Sequence, residues 1–206
     1  MKRAIFAGGC FWCTEAVFKR LKGVQNVKSG YTGGFVKNPA YREVCQGRTG
    51  HTEGIRLDYD ESLISYVDLL EVFFATHDPT TLNRQANDVG TQYRSGIFYT
   101  DDEQFETANM YINTLNDSNI FDAPIVTELT ALDIFYDAEE DHDNYYDLNR
   151  EQPYCAYLID PKINKSTHLS YKSFKIDKDL LKKGKYVNLN YINRVIASTN
   201  GFFYQK

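Results

Sequence analysis

The sequence contains no uninterrupted apolar stretch approaching the roughly 18 residues that a membrane-spanning helix requires, so no such helix is expected. Its first residues, Met-Lys-Arg-Ala-Ile-Phe-Ala-Gly-Gly, carry two positive charges but only a four-residue apolar run before the glycines. That is too short for the core of a secretory leader, so the segment reads as the mature N-terminus of a soluble, cytoplasmic protein. Cysteine is scarce, with only Cys10, Cys13, Cys45 and Cys155. Four scattered cysteines do not make a disulfide-stapled secreted scaffold of this length, which leaves catalysis or metal binding. His51, His77, His142 and His168 each stand singly, none paired with Cys45 or Cys155 at finger spacing, so a zinc site is not expected. Internal repeats and low-complexity segments are also missing.

Charge is unevenly spread. Of the net −5, residues 162–206 hold ten Lys/Arg against two Asp/Glu, so a basic tail follows an acidic body. A tail folding onto that body explains this more simply than nucleic acid does, and neither nucleic acid nor membrane is expected as a partner.

The 206 residues can bury one sizeable core, and an aromatic content of 15% makes aromatic pockets easy to build. Ala4 to Ala7 reads as a strand broken by Gly8-Gly9, and Trp12, Ala16, Val17 and Leu21 recur at helical spacing. Strands are expected over 24–31, 54–59, 96–99 and 125–132, and helices over 65–76, capped by Ser65, and from Asp101 or Asp102 to about Leu115. The intervals 32–41 and 82–93 read as polar loops. The expected class is α+β: a two-layer sandwich with a ferredoxin-like core, its helices packed on a mainly antiparallel sheet. Residues 1–161 read as a catalytic domain and 162–206 as a basic extension.

Cys10 falls where a strand hands over to a helix. A cysteine in the first helical turn faces unpaired N–H groups and the positive end of the helix dipole, which favour thiolate and make it a candidate nucleophile. The glycines before it permit close approach to the backbone, and Phe11 and Trp12 set two aromatic faces beside the sulfur, suited to a methyl thioether. Cys10 and Cys13 also form a Cys-x-x-Cys pair, which supports a rival reading as a general disulfide oxidoreductase.

Gly9-Cys10-Phe11-Trp12, Gly30-Tyr31-Thr32-Gly33-Gly34, Asn38-Pro39 with Tyr41-Arg42, Gly50-His51-Thr52-Glu53, His77-Asp78-Pro79-Thr80, Asn87 to Ser95 and Phe135 to His142 occur in one order. In that order they resemble the A-type peptide methionine sulfoxide reductases, over residues 3 to about 161. The resemblance implies that Cys10 attacks the sulfoxide sulfur, that Glu53 protonates its oxygen, and that Tyr41 and Tyr93 hydrogen-bond that oxygen. It also implies that Phe11 and Trp12 hold the methyl group and that Asp88 orients substrate or a water. A sulfoxide oxygen leaves well only as OH, so a carboxyl kept protonated near neutral pH by an apolar site is needed, and phenols can donate without carrying charge.

The resulting sulfenic acid on Cys10 must meet a second thiol. Cys155 is the first choice by its likeness to the resolving cysteine of many relatives, Cys13 the second, and Cys45 reads as packing. Some relatives carry further cysteine tails not recognisable here. The implied enzyme reduces methionine-S-sulfoxide, free or in proteins, as a monomer without metal or organic cofactor, and is re-reduced by thioredoxin. A third reading is a silent module whose aromatic groove binds methionine side chains without turnover.

Overall fold

A computed structural model describes residues 1–164. The expected basic extension after 161 therefore lies almost wholly outside the described residues. Six strands form the main sheet: β1 (Lys2–Gly8), β2 (Val24–Thr32), β3 (Thr52–Tyr59), β6 (Ser95–Tyr99), β7 (Glu128–Ala131) and β8 (Phe135–Asp137), in the order β7-β6-β1-β3-β2-β8. A two-stranded ribbon, β4 (Arg84–Gln85) with β5 (Asp88–Val89), stands apart. The helices are α1 (Phe11–Phe18), α2 (Tyr41–Cys45), α3 (Tyr66–Thr76), α4 (Asp102–Asp117) and α5 (Tyr145–Leu148), followed by a wide helical turn at Cys155–Ile159. No described helix is long and apolar enough to cross a membrane.

The sheet is mixed, where a mainly antiparallel one is expected. β1 pairs antiparallel with β3 and β6, and β2 with β3 and β8, but β6 and β7 run parallel. The cause is α4, which returns the chain across the sheet between them, as a parallel neighbour requires. Sequence reasoning also missed α2, the β4/β5 ribbon and β8. All are short, and none carries enough periodicity to separate it from loop.

Where local chemistry is strong, the expectation and the fold agree. Ser65 caps α3 reciprocally with Asp68: the Asp68 amide donates to Ser65 Oγ at 3.2 Å and the Ser65 amide to Asp68 Oδ2 at 2.8 Å. Asp101 Oδ1 accepts the Gln104 amide at 2.9 Å and starts α4, whose buried stripe of Gln104, Ala108, Tyr111 and Leu115 has helical spacing. Between the sheet and the helices Phe6 is fully buried. It stacks on Phe18 of α1 at 5.3 Å, Tyr66 at 6.1 Å and Phe73 of α3 at 5.1 Å. Burying one such ring is worth roughly 2–3 kcal/mol, and this one joins the three elements that frame Cys10.

Glu71, on the buried face of α3, has a carboxylate oxygen without a hydrogen-bond partner, and burial raises its pKa to about 8. The folded chain therefore keeps this proton over a range in which the unfolded chain loses it. Stability should fall as pH rises from the ordinary carboxylate range toward about 8, at up to about 1 kcal/mol per pH unit. Glu71→Gln should flatten that slope when urea midpoints are compared between pH 5 and 8; an unchanged slope would mean Glu71 is solvated on folding.

Candidate active site

Gly9 makes the corner between β1 and α1. Its φ is +88°, and a Cβ there would lie 2.5 Å from Gln85 Cγ, so only glycine fits. Cys10 follows as the residue just before α1, with extended torsions (φ −54°, ψ 125°), and its carbonyl accepts the Cys13 amide at 3.1 Å. On β3, Glu53, Ile55, Leu57 and Tyr59 alternate onto the helix-covered face. Glu53 thus ends an apolar row and is 1% exposed. Its Oε2 accepts the Phe11 amide at 3.1 Å, in the turn that begins with Cys10. Burial raises the Glu53 pKa to about 8, outweighing that amide, with Asp88 and Cys13 adding to the rise.

Tyr41 begins α2, its ring packed on Phe11 (6.2 Å) and His142 (4.4 Å). Its hydroxyl is hydrogen-bonded to Cys45, and burial raises its pKa, as it does that of Tyr93. The charge of Glu53 acts on both phenols, which places the acid and the two tyrosines together. Trp12 stacks flat on Tyr145 at 3.7 Å and gives its indole N–H to His142 Nδ1 at 3.2 Å. Tyr154 stands edge-on to Trp12 at 5.9 Å, donates to Asp88 Oδ2 at 3.3 Å and lies 3.8 Å from Cys13 Sγ. All eight expected site residues, Cys155 included, thus belong to one neighbourhood.

Cys10 corrects the expectation of a free thiolate. It is 7% exposed, and burial, then the hydrogen bond with Cys13, raises its pKa; the helix N-terminus does not overcome this. The partner thiol takes the charge instead: the Cys10 hydrogen bond, aided by Lys162, lowers Cys13 to about 6.

Three loops hold the site through residues to which the sequence gave at most a vague role. His51 Nδ1 accepts the Gly34 amide at 3.1 Å, so Nε2 carries the proton and donates to the Val36 carbonyl at 2.7 Å; this orders the loop leading to Tyr41. Gln92, beside Tyr93, donates to the Cys45 carbonyl at 3.2 Å. Glu139 accepts the Tyr41 amide at 2.8 Å and the Tyr31 hydroxyl at 2.9 Å. Only the position of Glu139 within the motif-like run 135–142 hinted at it. Arg94 binds Glu128 at 2.8 Å and the carbonyls of Thr91 and Gly33, so it clamps loops and does not touch a site carboxylate.

Comparison with known proteins decides the family. The family model described as peptide methionine sulfoxide reductase matches residues 2–175. The chain belongs to that family. The match runs past the domain boundary expected at 161. The chain is 54% identical over 165 residues to the peptide methionine sulfoxide reductase MsrA of Chromobacterium violaceum, covering 80% of this chain and 94% of that one. It is 56% identical over 164 residues to that of Deinococcus radiodurans, covering 80% of each. Among solved structures it resembles reduced Mxr1 of Saccharomyces cerevisiae, with a TM-score of 0.70 and 33% identity over 75% of this chain and 88% of that one. Methionine sulfoxide reductase A of Corynebacterium diphtheriae gives 0.64 and 34% over 72% and 75%.

In this reductase-family site the corner glycine is the least replaceable backbone position. Gly9→Ala meets both a left-handed torsion and Gln85, and should cost about 2 kcal/mol by denaturant unfolding. It should also slow alkylation of Cys10 or speed it, as the corner shifts; unchanged stability would show that the corner relaxes freely.

Proposed function

We propose that this chain reduces methionine-S-sulfoxide, free and in proteins, to methionine. The observation that carries the reading is a buried carboxyl, Glu53, with a pKa raised to about 8, bonded to the amide that follows Cys10. At neutral pH this acid is protonated and can give its proton to the sulfoxide oxygen, while Tyr41 and Tyr93 donate to the same oxygen. Cys10 Sγ forms a bond to the substrate sulfur. The S–O bond then passes its oxygen to Cys10, so methionine leaves and Cys10 becomes a sulfenic acid. The positively polarised sulfoxide sulfur favours the ionised form of Cys10 at the moment of attack. Phe11 and Trp12 supply apolar faces for the methyl group, and Asp88 orients the substrate, in the place now taken by the Tyr154 hydroxyl.

Cys155 resolves the sulfenic acid by expelling water, and a thioredoxin-type dithiol reduces the disulfide. A structure described as Mxr1 in complex with Trx2, of which the chain is a 25% identical likeness with a TM-score of 0.50, supports that reductant. The enzyme works as a cytoplasmic monomer without metal or organic cofactor. The order β6-β1-β3-β2, with α1 and α3 as the crossing helices, supports the ferredoxin-like description of the core. General disulfide exchange by Cys10 and Cys13 is less favoured, because it gives no role to Glu53, Tyr41 or Tyr93.

The purified chain with dithiothreitol should consume the S-epimer of a methionine sulfoxide peptide and leave the R-epimer. Cys10→Ser should abolish turnover, and full activity in that variant would sink the reading; binding without turnover would favour the silent module. Glu53→Gln should lower kcat by roughly 10²–10⁴-fold. Because the acid must hold its proton, kcat should fall as pH rises through about 8, and this limb should be absent from the residual activity of Glu53→Gln.

A further inference from the structure

Cys13 is unused by the reaction as written, yet it sits between the two cysteines that the reaction does use. Cys10 occupies the capping position before α1 and Cys13 is the third residue of that helix. In this arrangement the side chains of the two positions turn toward each other, as they do in a reciprocal helix cap. The Cys10 carbonyl holds the Cys13 amide at 3.1 Å, which fixes the turn. Cys13 Sγ also lies 3.8 Å from the hydroxyl of Tyr154, the residue joined to Cys155, and that hydroxyl is hydrogen-bonded to Cys10 as well. Cys155 opens the wide turn that packs on α1, and its side chain enters the same core cluster as Cys10 and Cys13. The charge of Cys13 acts on both other thiols.

Accessibility sets the direction. Cys10, Cys13 and Cys155 are 7%, 3% and 0% exposed, so what differs is the segment that carries each: Cys10 and Cys13 lie at the start of α1, whose residues are almost all buried. Cys155 is also buried, but its segment is the outer one: Glu151, Gln152, Pro153, Ala156 and Tyr157 around it are exposed. We infer that Cys13 is a catalytic relay: it resolves the Cys10 sulfenic acid first and then passes the disulfide outward to Cys155. This rests on the reductase reading above and replaces the direct attack of Cys155 on Cys10 with two steps through Cys13.

The steps balance. Cys13 attacks the Cys10 sulfur, the Cys10–Cys13 disulfide forms as the S–O bond of the sulfenic acid breaks, and the OH leaves as water with the one proton that the Cys13 thiol gives up. Cys155 thiolate then attacks Cys13 Sγ, making the Cys13–Cys155 disulfide and returning Cys10 to thiolate. A dithiol of thioredoxin class reduces that last bond and is itself oxidised to a disulfide. Since Cys13 is the thiol with the lowered pKa, about 6, it is ionised at neutral pH, when the first attack must occur.

The test is single turnover of the full chain with one equivalent of methionine-S-sulfoxide and no reductant, quenched by alkylation and mapped by peptide mass spectrometry. Methionine release of one equivalent checks the reductase reading on its own; none would overturn that reading and the relay with it. Given release, the wild type should show Cys10–Cys13 first and Cys13–Cys155 later. Cys155→Ser should stop at Cys10–Cys13. Cys13→Ser should keep a dimedone-reactive Cys10 for about 10²-fold longer, the scale of losing a positioned group. Direct appearance of Cys10–Cys155 in the wild type, or its formation in Cys13→Ser at the rate of wild-type disulfide formation, would overturn the relay while leaving the reductase intact.

Discussion

The bond from the Phe11 amide to Glu53 Oε2 governs the chemistry because it joins the two halves of the site. The first turn of a helix leaves its amides without intrahelical partners, so a donor next to Cys10 has to be satisfied from outside α1. Glu53 does so from β3, through the strand register that also pairs Tyr31 opposite it. One hydrogen bond thus ties the carboxyl of Glu53 to the turn that carries Cys10. It also sets the balance of protonation: a single neutral amide lowers the carboxyl's pKa only modestly, whereas burial under α1 raises it further, leaving a pKa of about 8. A lysine or arginine in the amide's place would have paired the carboxylate and removed its proton. The site depends on the acid having only a weak partner.

The rest of the molecule keeps that pair dry and surrounded by phenols. Phe6 welds β1 to α1 and α3 from below, while Phe11, Tyr41, Trp12, His142 and Tyr145 stack above. Tyr41 and Tyr93 lie at the ends of single short helical turns, and both turns are fixed by bonds to main-chain groups: Glu139 to the Tyr41 amide, and Gln92, beside Tyr93, to the Cys45 carbonyl at the end of α2. Polar side chains that satisfy loop backbone give those phenols a defined position without adding charge at the reacting oxygen.

Legibility in the sequence followed the strength of the local signal. Ser65 before α3, Asp101 before α4 and the alternation over 54–59 each express one physical preference, and each element formed near its expected place. Glu53 was legible only through the family resemblance; alternation alone left it a solvated carboxylate at the strand edge, although in the fold it continues the buried row of Ile55, Leu57 and Tyr59. The parallel β6/β7 pairing was not legible, since strand direction there depends on α4 crossing the sheet and not on any residue in β7. The protonation of Cys10 was misjudged for a similar reason. The helix N-terminus is visible in sequence, whereas the neighbours that bury the thiol, Tyr154 among them, come from remote segments. The roles of Glu139, Gln92 and Tyr154 are likewise contacts across 98, 47 and 66 residues of chain.

That burial has a chemical consequence. A thiolate left open to solvent would be oxidised by any peroxide that reached it, whereas Cys10 is held as a thiol under Tyr154 and shares its proton with Cys13. On the proposed reading, a substrate group bound to Asp88 replaces the Tyr154 hydroxyl there. On the same reading, filling the site shifts the segment that carries Cys155, because Tyr154 is bonded to it, and emptying the site lets that segment return. On the proposed cycle, sulfoxide reduction and disulfide transfer thus use the same space in turn: the covering segment is displaced while oxygen is removed and is back in place when the oxidised sulfur needs a partner. The one neighbour that stays beside Cys10 throughout is Cys13, fixed three residues along the same helix.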